Sequence, residues 1–317
     1  MKKGNRFLIT IIALLFLSLT GAGVFTTHYL VTGTDNESIF INNPINVLLM
    51  VGDKDDYNTD TMMVVNYDPK VGRASFLSVP RDTKVFIHDK LRKLNAGKAM
   101  GGTKLTTNLI SDLLKVNINY YVHIKIKTFT KVIDMMGGVD YYVPLNLKYE
   151  DPSQGLHIDL KHGMQHLDGD KAEQLLRFRK PQHAWSYSER FLEFYDGSDA
   201  KRTERQLDFL KEFIKQKASL TYLSTYNDVI KTVFDETDTN IKMGEALKLI
   251  LNIDRIDFKN VNTFRISGDY KMISGSDYFI YDNRIFSPII NKSKDASGII
   301  KKYFTAVGPF INTNVNK

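Results

Sequence analysis

Ile45–Asp82 reads INVLLMVGDKDDYNTDTMMVVNYDPKVGRASFLSVPRD, and three apolar runs inside it set the expected fold. INVLLMVG (45–52) is short, nearly continuous and closed by glycine, the pattern of a buried strand. TMMVVNYD (61–68) and ASFLSV (74–79) flank DPKVG (68–72), whose proline and glycine punctuate a turn, so the pair predicts a hairpin. Buried strands need helices to cover them, and the downstream sequence supplies these. In TKLTTNLISDLLK (103–115), Leu105, Leu109 and Leu113 repeat at i, i+4 and i+8 on one helix face. YYVHIKI (120–126) alternates as a strand, and TFTKVIDMMGG (128–138) is a short helix closed by Gly137 or Gly138. VDYYVPLNL (139–147) returns to strand. LDGDKAEQLLRF (167–178) predicts a helix with Asp168 as N-cap and Asp170 in its first turn. KRTERQLDFLKEFIKQK (201–217) places Leu207, Leu210, Phe213 and Ile214 on one helix face, and MGEALKLILNI (243–253) reads as a further helix. VNTFRISGDYKMISGSDYFIY (261–281) reads as closing strands around a turn. Strands alternating with helices over 45–285 predict a layered α/β/α domain with a central mixed sheet.

The N-terminus adds an anchor to this plan. FLITIIALLFLSLTGAGVF (7–25) carries no charge and is long enough to cross a bilayer. Lys2, Lys3 and Arg6 precede it, so the positive-inside rule keeps the N-terminus in the cytoplasm and exports the rest. The expected layout is a cytoplasmic segment 1–6, a transmembrane helix 7–31, a polar linker 32–44, an extracellular domain 45–290 and a tail 291–317. A cleaved signal peptide, with GAG (21–23) as its small-residue site, is the alternative, and it exports the body equally. The 317 residues carry 43 basic and 36 acidic side chains, a net charge of +7. Lys2, Lys3 and Arg6 supply three of those seven charges, leaving four for everything else. Such a body favours an anionic partner only weakly and does not single out nucleic acid. Cysteine is absent, which excludes disulfides, thiolate nucleophiles and cysteine-ligated zinc.

Four polar clusters sit where expected strands or helices end. Asp53 follows the first strand and Asp60 opens the second; two such carboxylates could share one magnesium ion, or form a solvated acidic turn. In SVPRD (78–82), Arg81 leaves a strand end, where α/β sheets place ligands, or pairs with Asp82 at the surface. In LLRFRK (175–180), an extended chain would turn Arg177 and Arg179 the same way, with Phe178 anchoring from the opposite face. Two guanidiniums aimed at one spot need an anion between them or acidic partners from elsewhere. Arg202 and Gln206 are i, i+4 near a helix N-terminus, a place that attracts anions but also an ordinary charged first turn. Together, two carboxylates and four arginines form the inventory for a pyrophosphate held by arginine forks and a bridging magnesium. No nucleotide-binding glycine loop, no H-E-x-x-H and no G-x-S-x-G is present.

The blocks TDTMMVVNYDPK…FLSVPRDT, KLNAGKAMGG, GGVDYYVP, DPSQGLHIDLKHGMQHLDGDKAEQLLRFRK and RTERQ resemble, in order, the signature of the LytR–CpsA–Psr family over about residues 45–285. The resemblance implies a phosphotransferase that moves a glycopolymer, such as a teichoic acid or capsular polysaccharide, from an undecaprenyl-pyrophosphate carrier to peptidoglycan. It implies a membrane-anchored extracellular enzyme that uses Mg2+ and binds no nucleic acid. Carried over by motif, Asp53 and Asp60 become magnesium ligands. Arg81, Arg177, Arg179 and Arg202 contact the pyrophosphate as catalytic and substrate-binding residues, with Gln206 beside them and Asp82 in support. Hydrolysis of the carrier, non-catalytic lipid binding and, last, transcriptional attenuation are the competing readings. The chain departs from the family pattern in a shorter Asp53–Asp60 loop, in Asn58-Thr59 before Asp60, and in an insertion at 181–200. That insertion carries Trp185, Tyr187, Phe191, Phe194 and Tyr195, and reads as a lid, a sugar platform, a membrane contact or a loop with its own small core.

Overall fold

A computed structural model describes residues 43–52, 56–152, 155–181, 189–195, 199–217, 223–242, 262–287 and 292–306. The apolar run at 7–25, Asp53, Trp185, Tyr187 and the helix expected at 243–253 lie outside the described residues. The described chain divides into two compact units, one running to Lys125 and resuming at Glu236, the other spanning Ile126–Asp235.

In the first unit, the opening run forms β1 (Ile45–Gly52), with Ile45, Val47, Leu48 and Met50 buried. β2 (Thr59–Asp68) and β3 (Arg73–Ser78) make the expected hairpin, antiparallel with Asp68 opposite Arg73. Its turn works as read: the Lys70 N–H donates to Asp68 Oδ1 at 3.1 Å, and Gly72 takes φ +60°, which glycine adopts without a Cβ clash. β4 (Lys84–Ile87) and β5 (Lys90–Lys93) form a small hairpin, followed by α1 (Gly97–Leu114) and β6 (Tyr120–Ile124). The leucine stripe of α1 is not its most buried face. Thr103, Thr106, Thr107, Ile110 and Leu114 are buried, while Leu105, Leu109 and Leu113 pack half-buried against the core. Threonine is tolerated there because its hydroxyl can bond within the helix, as Thr107 Oγ1 does to the Thr103 carbonyl at 2.9 Å.

The second unit opens with α2 (Ile126–Met135), and its end confirms the glycine stop. Gly137 and Gly138 take φ +72° and +64°, and the Gly138 N–H donates to the Ile133 carbonyl at 2.9 Å. β7 (Val139–Val143), β8 (Leu147–Asp151), β9 (Leu156–Leu160) and β10 (Gly163–Leu167) follow, β7 pairing with β10 and β8 with β9, both antiparallel. α3 (Gly169–Arg177), α4 (Glu189–Phe194), α5 (Asp199–Lys217) and α6 (Leu223–Glu236) complete it. Asp168 caps α3 as read, its Oδ1 accepting the Lys171 N–H at 2.9 Å.

The chain then returns to the first unit as β11 (Asp238–Thr239), β12 (Asn262–Ile273), β13 (Ser276–Ser287), β14 (Lys292–Asp295) and α7 (Ala296–Tyr303). The resulting eight-stranded sheet has the order β11-β6-β1-β2-β3-β12-β13-β14. β6 runs parallel to β1 and β12 parallel to β3, while the other neighbours are antiparallel, so the sheet is mixed as expected. Within the C-terminal tail expected at 291–317, the described residues form β14 and α7, and Ala296, Ile299 and Phe304 enter the core. Two buried asparagines explain the attachment. Asn46 Nδ2 donates to the carbonyls of Asn117 and Phe304, both at 2.7 Å; Asn66 Nδ2 donates to Asn46 Oδ1 at 2.9 Å and to the Thr305 carbonyl at 3.0 Å.

Candidate functional site

The candidate residues fall into two clusters, one in each unit. In the sheet unit, β1 ends at Gly52, β2 begins at Thr59, β3 ends at Ser78, and β6 ends at Ile124 opposite Val51, so these termini share one end of the sheet. Asp60 and Arg81 meet there in an ion pair between Asp60 Oδ1 and Arg81 Nη1. Both side chains stay partly exposed, so the pair is reachable by a ligand. Asp82 continues the chain of charge: its Oδ2 lies 3.9 Å from Arg81 Nε and its Oδ1 2.9 Å from Lys93 Nζ. The surface pairing of Arg81 with Asp82 is thus present, but the Asp60 contact is the tighter one. Asp60 Oδ2 accepts no hydrogen bond among the described residues, which leaves a hard oxygen donor for a cation. A magnesium ion commonly needs only one or two protein carboxylates beside substrate phosphates, so Asp60 fits that role; Asp53 lies outside the described residues. No group of three or more acidic or histidine ligands exists among the described residues, which is compatible with so sparse a site.

The same end holds a group that the sequence did not single out. Asp56 takes φ +60° and is gripped from three sides. Lys98 Nζ lies 2.6 Å from Asp56 Oδ1 and also donates to the Asp56 carbonyl, His123 Nε2 is 3.2 Å from Oδ1, and Lys125 Nζ is 4.0 Å from Oδ2. Gly52 suits this close approach, because a Cβ would push the Asp56 carboxylate aside and press on the His123 ring. His123 is 2% exposed, and its pKa falls to about 4, chiefly through burial and then through the Lys98 charge. It is therefore neutral at ordinary pH, and the residual charge of the group lies with the lysines.

In the second unit, LLRFRK divides between a helix and an extended segment. Arg177 is the last residue of α3, and Phe178 is extended with φ −60° and ψ 132°. The strand alternation considered for Arg177 and Arg179 is replaced by a helix end, since the helix runs one residue past the apolar Leu175-Leu176. Arg177 Nη1 donates to Glu173 Oε1 at 2.8 Å, the i, i+4 spacing of one helix face. An acidic partner is thus present for that arginine. Phe178 anchors from the core as read, at 1% exposure. Arg202 and Gln206 lie in the early turns of α5, which is tied directly to this segment. Arg205 Nε donates to the Leu175 carbonyl at 3.0 Å, Arg205 Nη2 to the Phe178 carbonyl, and Gln206 Nε2 to the Leu176 carbonyl at 3.4 Å. The third and fourth clusters of the sequence therefore form one neighbourhood, joined by Arg205. That residue was legible only as a member of RTERQ; nothing in its spacing announces burial.

The family model for the LytR_cpsA_psr family matches residues 26–295. The chain is 28% identical over 266 residues to the polyisoprenyl-teichoic acid–peptidoglycan teichoic acid transferase TagU of Bacillus mycoides, covering 82% of this chain and 81% of that one. Its fold is similar to the crystal structure of TagV from B. subtilis, at 24% identity and a TM-score of 0.62, covering 82% of this chain and 96% of that chain. It is also similar to TagT bound to LIIa-WTA, at 22% identity and a TM-score of 0.59, covering 85% and 92%. The match spans both units and every cluster described above, and the chain belongs to the LytR_cpsA_psr family.

Proposed function

We propose that this protein transfers a glycopolymer from an undecaprenyl-pyrophosphate carrier to peptidoglycan. The observation that carries the reading is the Asp60–Arg81 pair, partly exposed at the strand ends of a chain whose family relatives are named as teichoic acid transferases. In the proposed reaction a peptidoglycan hydroxyl oxygen forms a bond to the phosphorus attached to the glycan. The bond from that phosphorus to the bridging oxygen breaks, undecaprenyl phosphate leaves, and the hydroxyl loses its proton. Such a step needs positioning and charge neutralisation more than covalent catalysis. Arg81 supplies a planar donor to phosphate oxygens, held in orientation by Asp60 and Asp82. Arg177, Arg179 and Arg202, with Gln206, are proposed as the second set of phosphate donors. Mg2+, held by Asp60 and by Asp53, would supply further charge neutralisation and polarise a phosphoryl oxygen. The catalytic domain is proposed to be extracellular, on a single-pass anchor at 7–31, in a layered α/β/α arrangement.

The test is transfer from a purified lipid-linked glycopolymer to peptidoglycan, with product analysis. Covalent attachment is expected, lost on chelation with EDTA and restored by Mg2+. Release of free polymer instead would establish hydrolysis and defeat the transfer reading. Asp60→Asn and Arg81→Ala should each lower kcat/KM by at least about 100-fold, the scale for losing a donor or ligand aimed at transition-state charge. Wild-type rates in either variant would remove the pair from the site.

A further inference from the structure

We infer that Phe191 and Tyr195, in the described part of the insertion, form a positioning wedge for the arginine segment at the end of α3. Phe178 lies between Arg177 and Arg179 in sequence, and the insertion supplies its packing partners. Tyr195 meets the Phe178 ring edge-on at 5.1 Å and an interplanar angle of 88°, and Phe191 meets it at 6.2 Å and 67°. Phe191 and Tyr195 also contact each other at 5.3 Å, so three rings close on one another. Phe191 and Tyr195 are buried, so neither ring is offered to a sugar or a membrane. Arg205 of α5 joins the three rings to that helix. The Arg205 guanidinium lies 4.8 Å over the Tyr195 ring while donating to the carbonyls of Leu175 and Phe178. One buried guanidinium thus grips the last turn of α3, the residue between the two arginines, and the insertion's aromatic core. An arginine cannot shed its charge, so this contact holds at any pH the protein meets.

The backbone explains why a wedge is needed. After Arg177, which the helix and Glu173 hold, the chain abandons the helix with Phe178 at ψ 132°, and the placing of Arg179 relative to Arg177 hangs on that one extended residue. Nothing in the local sequence fixes that residue's torsion. The Phe178 ring, packed against Phe191 and Tyr195, does so from the side chain. The Arg205 bond to its carbonyl does so from the backbone. The Tyr195 hydroxyl is buried and makes no hydrogen bond among the described residues, and burial pushes its pKa up to about 12. The ring is therefore the working part of the side chain.

The inference deepens the proposed function and rests on it: the substrate class served is the pyrophosphate of a polyprenyl-linked donor, and Tyr195 and Arg205 are positioning residues. The test uses the full chain in detergent, with geranylgeranyl pyrophosphate binding by calorimetry and with separate donor and acceptor KM values in the transfer assay. Tyr195→Ala should weaken binding of the pyrophosphate probe and raise the donor KM by about tenfold, with the acceptor KM unchanged. Tyr195→Phe should match the wild type in all three. Tyr195→Leu keeps the core filled should the alanine variant fold poorly, and should show the same donor-side defect at a wild-type melting temperature. Equal probe affinity in wild type and in the folded Ala or Leu variant overturns the wedge while leaving the transferase reading intact. So does a loss that falls equally on donor and acceptor. A wild-type chain that neither binds the probe nor transfers polymer overturns the transferase reading, and the inference with it.

Discussion

His123 shows how a single side chain ties stability to pH near the candidate site. It is buried against Asp56, Lys98, Lys125 and Asp238, and its pKa drops from 6.5 to about 4. Unfolding returns it to its ordinary value, so between those two limits the unfolded chain binds a proton that the folded chain refuses. The stability it permits is therefore complete above pH 6.5 and declines as the pH falls through the window towards 4. The loss amounts to roughly 3 kcal/mol at the acid end, because each pH unit crossed inside that window costs about 1.4 kcal/mol. His123→Gln should flatten this part of the melting-temperature profile, and parallel profiles for variant and wild type would refute the assignment. Only the strand alternation of YYVHIKI was readable in the sequence. Burial first and the Lys98 charge second depress the pKa, against the opposing pull of Asp56 and Asp238, and no local pattern brings residues 56, 98 and 238 to His123. By contrast Asp168, an N-cap three residues before the amide it accepts from, was legible because the whole interaction is local.

At the scale of elements, what was legible followed periodicity, and what was missed follows from polar side chains doing core work. The β2–β3 hairpin, the glycine end of α2 and the bounds of α5 were all readable from turn residues and apolar spacing. The closure of the C-terminus was not, because it depends on Asn46 and Asn66, which look like errors in apolar strands. Asn46 also accepts the Asn119 N–H through its own carbonyl, and its N–H donates to Asn119 Oδ1, both at 2.9 Å. These amides join β1, the approach to β6 and the end of α7 in one buried network, in which each orphaned group costs about 1–3 kcal/mol. Asn66→Ala should therefore lower stability by about 2–4 kcal/mol, read from the urea midpoint, since it strips partners from the Thr305 carbonyl and from Asn46 Oδ1. A chain ending at residue 291 should lose more, because Phe304 and Ile299 leave the core as well. A truncated chain with an unchanged midpoint would return the segment to the status of a tail. The insertion shows the reverse case: its aromatic composition was conspicuous in sequence, but its docking on Phe178 through Arg205 is a contact across separate elements.

For the whole molecule, the strands that flank the candidate residues come from distant parts of the chain. β12 pairs with β3 with Arg265 opposite Ser78, a register that no local signal in either strand specifies. The division at Lys125 and Glu236 was equally invisible, because alternating strands and helices look the same on both sides of it. The proposed membrane anchor is the opposite case: it rests wholly on the sequence, on a charge-free run at 7–25 behind Lys2, Lys3 and Arg6. The full chain should accordingly sediment with membranes and resist alkaline carbonate, while residues 43–317 expressed without the run should stay in solution. The fold argues that the shortened chain survives, since β1 begins at Ile45 and the described core draws on nothing earlier. It should keep the melting temperature and pyrophosphate affinity of the full chain, but lose transfer from a donor embedded in vesicles through loss of co-localisation. Mass analysis of the mature N-terminus decides between anchor and signal peptide. An intact start supports the anchor; a chain beginning just after GAG (21–23), released from the membrane, would replace it with secretion.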